Sequence, residues 1–571
     1  MKKLLFISLF VGAFSLYMNA QTPYSSTLDV NNVEATVFAN GNYFWDLQGS
    51  SLYFVPAGTN KSTIFMLSPW LAGYDANDSL HVTANSSGGD DYLAGPIVDV
   101  SNFNDIITAA EYNKIWKISR EQVDEFKQQW QQGNVTNGTY AIPEVIATWP
   151  GNHPGMTERL APYFDNNQDG TYNPLDGDYP EMKGDAMLWW VYNDNTLHEC
   201  SEGEAFGAEY RASFYAFNYN NPPNDSIAAI NDVTFLNIEI VNRSNQDYYA
   251  CMFGLYSDFD IGWAQDDYLG CHVDFNAFYG YNADIVDGTG MAGHYGGPTP
   301  PPPSQSITFL SGPMADELDG IDNDRDGITD ESDELCAMSH FMFNNNFLQY
   351  PGTPSEYYNL MQSIWFDNTH LVYGHGYPYD STQIYIETNY AFPGSSDPQG
   401  WGQNGLVMAP WYETDSITSP GDVKGIGSCG PFTFEQGEML SIDVALVFAQ
   451  ADTGSPFNSL EENFDIIEDV ISWFNKQDFP SSYTIGMIER DLEPGFQLIP
   501  NPARDKILLM ISHNDCLGGR IEIYNQEGKL VKDILQAQHQ LQIDINQLPV
   551  GVYYFKLINN QHFGVEKLVK L

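Results

Sequence analysis

Between Asn32 and Ala84 short apolar runs alternate with turn residues, as in Ala35-Thr-Val-Phe, Tyr43-Phe-Trp, Leu52-Tyr-Phe-Val and Thr63-Ile-Phe-Met-Leu. Their aromatic and β-branched content and two-residue period predict antiparallel strands. Trp70 to His81 predicts a hairpin, with Asp75, Asn77 and Asp78 forming its turn. The period changes at Thr108. Thr108 with Glu111 and Ser119 with Gln122 fit the capping-box pattern, in which a hydroxyl caps the helix and the third-following side chain reaches back. Helices are therefore expected over 109–117 and 120–132, with Trp116, Val123, Phe126 and Trp130 as a packing stripe. Strand patterns return at 186–192, 213–217, 233–241, 249–256, 383–386 and 442–449. A last helix is expected over 459–475, its apolar side carrying Leu460, Phe464, Ile467, Val470, Ile471 and Phe474.

These elements predict a mainly β chain: a multi-domain, β-sandwich-like body with a small helical insertion, followed by a separate C-terminal β-sandwich. At 571 residues the chain exceeds what one core usually supports. The expected segments are 21–150, with the insertion at about 108–132; 151–300; 301–340, opened by the Pro298–Pro303 connector; 341–477; a polar linker, 478–495; and 496–571. Residues 1–20 have the layout of a signal peptide. Lys2 and Lys3 precede an apolar run from Leu4 to Leu16, and cleavage is expected between Ala20 and Gln21. No later apolar run is long enough to span a bilayer, so no transmembrane segment is expected.

Charge narrows the partners. The chain holds 23 Lys plus Arg against 75 Asp plus Glu, a formal net charge of -52. Such a field repels phosphate backbones, so no nucleic-acid partner is expected. It attracts cations, and it also keeps an exported protein soluble. Of the six cysteines, Cys516 lies in the terminal module, which leaves an odd number (Cys200, Cys251, Cys271, Cys336 and Cys429) in the body. Disulfides are therefore not expected to frame the fold.

Two acidic loops carry metal-ligand spacing. In the segment 322–333, Asp322, Asp324 and Asp326 stand at positions 1, 3 and 5, Gly327 at 6, the Ile328 carbonyl at 7, and Asp330 and Asp333 at 9 and 12. Calcium takes six to eight oxygens, and this register can wrap one ion. In the segment 165–176 the corresponding ligands are Asp165, Asn167, Asp169, the Thr171 carbonyl and Asp176, with fewer charges and weaker expected binding. The first loop resembles a thrombospondin type 3 repeat, including its leading Asp319-Gly320; the second is similar to the calcium loop of dockerin-like modules. Structural Ca2+ is the expected cofactor. A third acidic stretch, Asp258 to Asp267, lacks the spacing.

The end of the chain reads Phe-Gln-Leu-Ile-Pro-Asn-Pro-Ala from Phe496, Ile-Tyr-Asn-Gln-Glu-Gly-Lys-Leu-Val in the middle, then Leu-Pro-Val-Gly-Val-Tyr-Tyr-Phe-Lys-Leu and Glu-Lys-Leu-Val-Lys-Leu. Those segments resemble the C-terminal (type A) sorting domain of type IX secretion cargoes of Bacteroidetes. The resemblance implies an immunoglobulin-like β-sandwich, recognition of 496–571 by the secretion machinery after Sec export, then cleavage, with the body released or joined to surface lipopolysaccharide. The positions that carry it are Pro500, Asn501, Pro502, Gly528, Lys529, Pro549, Gly551, Tyr553, Lys567 and Lys570.

The body also resembles large uncharacterised secreted proteins of Bacteroidetes, on segments such as Asp266-Asp267-Tyr-Leu-Gly-Cys271 and Ser428-Cys-Gly-Pro-Phe-Thr433, and no activity follows from that. The sequence contains no His-Glu-x-x-His zinc motif, no Gly-x-Ser-x-Gly elbow and no phosphate loop. No catalytic residue is assigned. The expected protein is extracellular or on the outer-membrane surface, its body a calcium-stabilised, non-catalytic adhesion or ligand-binding protein. The alternative is a secreted hydrolase of polysaccharide or protein.

Overall fold

The computed structural model describes residues 22–46, 48–86, 89–288, 293–317, 319–329, 334–345, 350–380, 382–415, 419–477, 496–499, 501–511, 520–525, 529–534, 540–559 and 562–570. The expected signal peptide 1–20 and the linker 478–495 lie outside them, as do Asp330, Asp333, Pro500, Gly528 and Cys516. The protein is mainly β, with few helices. It divides into two compact units, 1–480 and 481–571.

In the larger unit, a nine-stranded antiparallel sheet takes its strands from across the body. From one edge the order is Asp267–His272, Ala277–Asn282, Ser304–Ser311, Met439–Ala449, Val233–Asn242, Ala208–Ala216, Ala186–Asn193 and Leu93–Ala94, with Trp116–Ser119 also paired to Ala186–Asn193. A five-stranded sheet runs Met338–Asn345, Val423–Phe434, Tyr248–Phe259, Ile64–Tyr74, Leu80–Ala84. The expected breaks at 150, 300 and 340 do not separate compact units, because all four body segments feed these two sheets. The Pro298–Pro303 stretch joins Ala277–Asn282 to its antiparallel neighbour Ser304–Ser311 and so belongs to a hairpin connection.

The strand Ala186–Asn193 explains the layering. Leu188, Trp190 and Tyr192 enter the core that the two sheets share, while Met187, Trp189 and Val191 enter a second core on the opposite face. Both faces are covered, so the run carries no polar alternation. The second core is closed by Val123 and Phe126 of helix Arg120–Gln131 and by Ile467, Val470 and Trp473 of helix Pro456–Phe474. The helices thus form a layer behind the central sheet.

Several local expectations are corrected. The first helix is Ile106–Tyr112, capped by Asp105, whose carboxylate accepts the Ile107 and Thr108 amides; the Thr108/Glu111 box is not used. Trp116 lies in a strand, where it meets Trp189 at 5.7 Å, and is not part of the helical stripe. The Ser119/Gln122 capping box is present. No strand forms at 383–386, where Ile384 is fully exposed. The five body cysteines are unpaired.

The smaller unit packs a sheet of order Phe496–Ile499, Lys506–Ile511, Gln540–Asp544 on one of order Leu530–Ile534, Arg520–Asn525, Gly551–Asn559, His562–Lys570. Leu498, Ile507, Leu509 and Ile543 from the first meet Ile521, Ile523, Tyr553, Phe555 and Leu568 from the second, forming a β-sandwich.

Candidate functional site

The loop beginning at Asp319 is held by its own carboxylates. Gly327 donates its amide to Asp322 Oδ2 at 3.1 Å, Asp326 to Asp324 Oδ1 at 3.0 Å and Ile328 to Asp326 Oδ1 at 2.8 Å. Gly327 turns with φ +96°, which is why a residue without a side chain stands there. The loop is also pinned to the body. Arg325 donates to the Val273 carbonyl at 2.9 Å and to the Met338 carbonyl, and lies 5.7 Å over the Tyr390 ring. Ala337 donates to the Asn323 carbonyl at 2.9 Å.

One residue missing from the sequence expectation enters here. Glu334, only 3% exposed, accepts the Asn323 amide on Oε1. Oxygens of Asp322, Asp324 and Glu334 lie within 4.8 Å of one another. Asp322 Oδ1 and Glu334 Oε2 are both buried and have no hydrogen-bond partner. Partial burial, together with the charges of Asp326, Glu334 and Asp322, pushes the Asp324 carboxyl above its usual range. Buried carboxylate oxygens facing one another without donors repel unless a cation or proton sits between them. The set offers oxygen only and three charges, which fits a hard cation such as calcium. Of the expected ligands the structure brings Asp322 and Asp324 together; Asp326 stays exposed, bonded to its own loop, and the Ile328 side chain faces solvent. Glu334 was missed because it is residue 13 of a pattern read to residue 12. The apolar Leu335-Cys336 that follows, leading into the core, is the feature that marks it.

The loop 165–176 closes differently. Asp165 accepts the Gly170 amide on Oδ2 at 2.8 Å and pairs with Arg159 at 3.1 Å. Asn167 Nδ2 donates to Asp169 Oδ2 at 2.9 Å, Asp169 Oδ1 accepts the Thr171 amide, and Asp176 accepts from Asn173 Nδ2 at 2.6 Å. Asp178, fully buried, accepts the Asn166 and Asn173 amides and stitches the ends together. The loop's carboxylates are thus engaged with donors of the protein itself. Beside it lies an open hollow of about 400 Å³ lined by Arg159, Tyr163, Phe164, Asp165 and Glu181.

The third acidic stretch folds into a cross-strand square. The register sets Asp258 opposite Lys424, and Asp260 and Asp422 stand two residues beyond each on the same face. Oxygens of the three acids converge within 4.8 Å, with the Lys424 ammonium 3.4 Å from Asp258 and bonded to Asp422. Burial raises Asp258 well above the usual carboxylate range, and burial with the Asp422 charge lifts Asp260 to about 7. Lys424 is the square's internal counter-ion. His370 and His375, the closest pair of histidines in the sequence, gather no metal-ligand cluster among the described residues.

In the smaller unit Gly551, Tyr553, Lys567 and Lys570 lie on the last hairpin and Asn501 bonds to it, while Lys529 lies in a different hairpin. Asn501 Nδ2 donates to the Lys567 carbonyl at 2.5 Å, and its Oδ1 accepts the Val569 amide at 3.0 Å. Gly551 faces Lys570 across the strands, and the Tyr553 hydroxyl donates to the Pro549 carbonyl at 2.8 Å. Lys529 closes the hairpin from Asn525, its amide 2.9 Å from Asn525 Oδ1. Ala503, next to Pro502, donates its amide to the Val569 carbonyl at 2.9 Å. The segments at the two ends of the unit are thereby bound into one β edge.

This terminal sandwich defines the class. Residues 497–571 match the family described as secretion system C-terminal sorting domain. The chain therefore carries a type IX secretion sorting tail, the mark of a cargo exported to the cell surface or beyond. No curated protein matches the sequence. Among solved structures, a polysaccharide lyase is similar at 6% identity and TM-score 0.17, over 63% of this chain and 34% of that one. PorZ, an essential surface component of the type-IX secretion system of Porphyromonas gingivalis, is similar at 9% identity and TM-score 0.13, over 74% of this chain and 49% of that one. The chain spans less than half the length of either structure, and at these scores neither likeness bears on the body's fold or activity. No helix among the described residues is long and apolar enough to cross a membrane.

Proposed function

We propose that this protein is a type IX secretion cargo whose body, residues 21–477, is a calcium-stabilised, non-catalytic adhesion or ligand-binding protein of the cell surface or medium. Sec export removes residues 1–20; the machinery then recognises 496–571 and cleaves within or near the linker 478–495, leaving the body released or joined to surface lipopolysaccharide. The observation that carries the route is the terminal sandwich, matched to the sorting-domain family over 497–571, in which Asn501 bonds to the hairpin that carries Gly551, Tyr553, Lys567 and Lys570. Calcium use is supported by Asp322, Asp324 and Glu334, each of which places an oxygen within 4.8 Å of the others, and by Asp322 Oδ1 and Glu334 Oε2, which are buried without a donor. Millimolar extracellular calcium suits sites of the weak, structural kind.

The route is tested by placing 496–571 behind a signal peptide and a reporter in a competent host. The reporter is expected outside the outer membrane, and retention in the periplasm overturns the proposal. For the body, turnover in a panel of polysaccharide and protein substrates would replace the binding role with that of a secreted hydrolase.

A further inference from the structure

We propose that the cation of the acidic loop is held as a clamp between loop and body by Asp322, Asp324 and Glu334, with Glu334, the thirteenth residue, as the body-side ligand. The inference rests on the reading that this loop binds calcium, and adds to it a ligand that the twelve-residue pattern does not contain. Glu334 is buried, and its backbone is fixed from the body side: its carbonyl accepts the Ala315 amide at 2.9 Å, and the next residue, Leu335, bridges to Met314. Its Oε1 is occupied by the Asn323 amide, which aims the carboxylate at the loop. Its Oε2 is left without a donor, as is Asp322 Oδ1. One carboxylate thus comes from the body and two from the loop, and a hard cation between them joins the parts. Arg325, which stands between Asp324 and Asp326 in the chain, cannot fill that role, because its guanidinium is committed to the Val273 and Met338 carbonyls.

The clamp has a distinctive sign. With calcium bound, Glu334 holds the loop down. With calcium removed, the same carboxylate is a buried charge facing two others, and replacing it relieves repulsion.

The test uses the full-length purified protein with calcium as the only added ion, and compares wild type with Glu334→Gln and Asp326→Asn. Gln keeps the oxygen that accepts the Asn323 amide. By calorimetric titration Glu334→Gln is expected to weaken calcium binding at least about tenfold, and Asp326→Asn less than about threefold. By limited proteolysis, calcium is expected to protect the loop 319–329 in wild type but not in Glu334→Gln. In chelator, Glu334→Gln is expected to be at least as stable as wild type, an order that reverses in calcium. Calcium binding and protection by Glu334→Gln equal to wild type would overturn the clamp while leaving the calcium reading intact. A wild-type protein that neither binds calcium nor gains protection would overturn that reading itself. A Glu334→Gln protein less stable than wild type in chelator also overturns the clamp, since Glu334 would then be a structural residue whatever the ion.

Discussion

At the scale of single residues, burial sets charge states that can be measured. His272 stacks on Phe275 at 4.0 Å and meets Phe464 at 4.7 Å, and its buried Nδ1 has no partner. Burial lowers its pKa to about 4, so the folded ring is neutral where the unfolded one protonates. The unfolded state then binds more protons between about pH 6.5 and 4, and stability falls as pH falls through that window. His272→Phe keeps the stack and removes the proton. It is expected to match wild type at pH 8 and to exceed it at pH 5 by on the order of 1–2 kcal/mol, read by denaturant melts. Asp260 has the opposite sign. With its folded pKa lifted to about 7, it is destabilising above that pH, and the effect fades as pH falls toward 4. Asp260→Asn is expected to stabilise the protein by on the order of 1 kcal/mol at pH 8, with the gain shrinking in acid. Loss of stability at pH 8 would instead mean that Lys424 shares the square with a bound cation.

A third residue holds the fold together from inside. His198 is buried with Nδ1 2.7 Å from the Val82 carbonyl and Nε2 2.9 Å from the Asp194 carbonyl, so both ring nitrogens lie within hydrogen-bond distance of backbone oxygens. The Asp91 and Asp194 carboxylates lie 3.7 and 3.9 Å from the ring, and both also accept backbone amides from residues between Ala84 and Ala208. Glutamine cannot reach both carbonyls, so His198→Gln leaves buried polar groups without a partner and is expected to cost about 2 kcal/mol or more, read by denaturant melts at pH 7.

At the scale of elements, the sequence was informative where one local rule decides and silent where layers decide. The Ser119/Gln122 box is local chemistry, and the helix begins where it stands. Ser119→Ala is expected to lower stability by about 1 kcal/mol, and restoring Thr at that position should recover most of it. The Thr108/Glu111 box fits the same template but loses to Asp105, whose carboxylate takes two amides one turn earlier. Trp116 has helical spacing to Val123, yet pairing of Trp116–Ser119 with the central sheet prevails. The strand at 186–192 was legible from its apolar run, but nothing in the run says that one face meets a sheet and the other meets helices from 120–131 and 456–474. Likewise the metal loop was legible in Asp322, Asp324 and Gly327, whereas Glu334 depends on where the returning chain is pinned.

At the scale of the whole molecule, the two units have separate hydrophobic cores, one set centred on residues such as Trp190 and Ile238 and the other on Ile521 and Phe555. Each core can melt alone, so calorimetry of the full chain is expected to show two transitions, with the larger retained at the same temperature in a protein ending at Gln477. Calcium should act on the larger transition alone, because the Asp322, Asp324 and Glu334 oxygens belong to the body. The size of the effect follows from mass action. At about 2 mM calcium and a Kd of about 0.1 mM, binding stabilises by about 2 kcal/mol. Unfolding a body of this length carries an entropy near 1 kcal/mol/K, so chelation is expected to lower its midpoint by only about 2 °C. A shift of that size in the larger transition, with the smaller one unmoved, supports an ion that locks one loop of an exported body. A collapse of the whole body on chelation would place calcium at the centre of the fold, and a shift in the smaller transition would place it in the sorting unit.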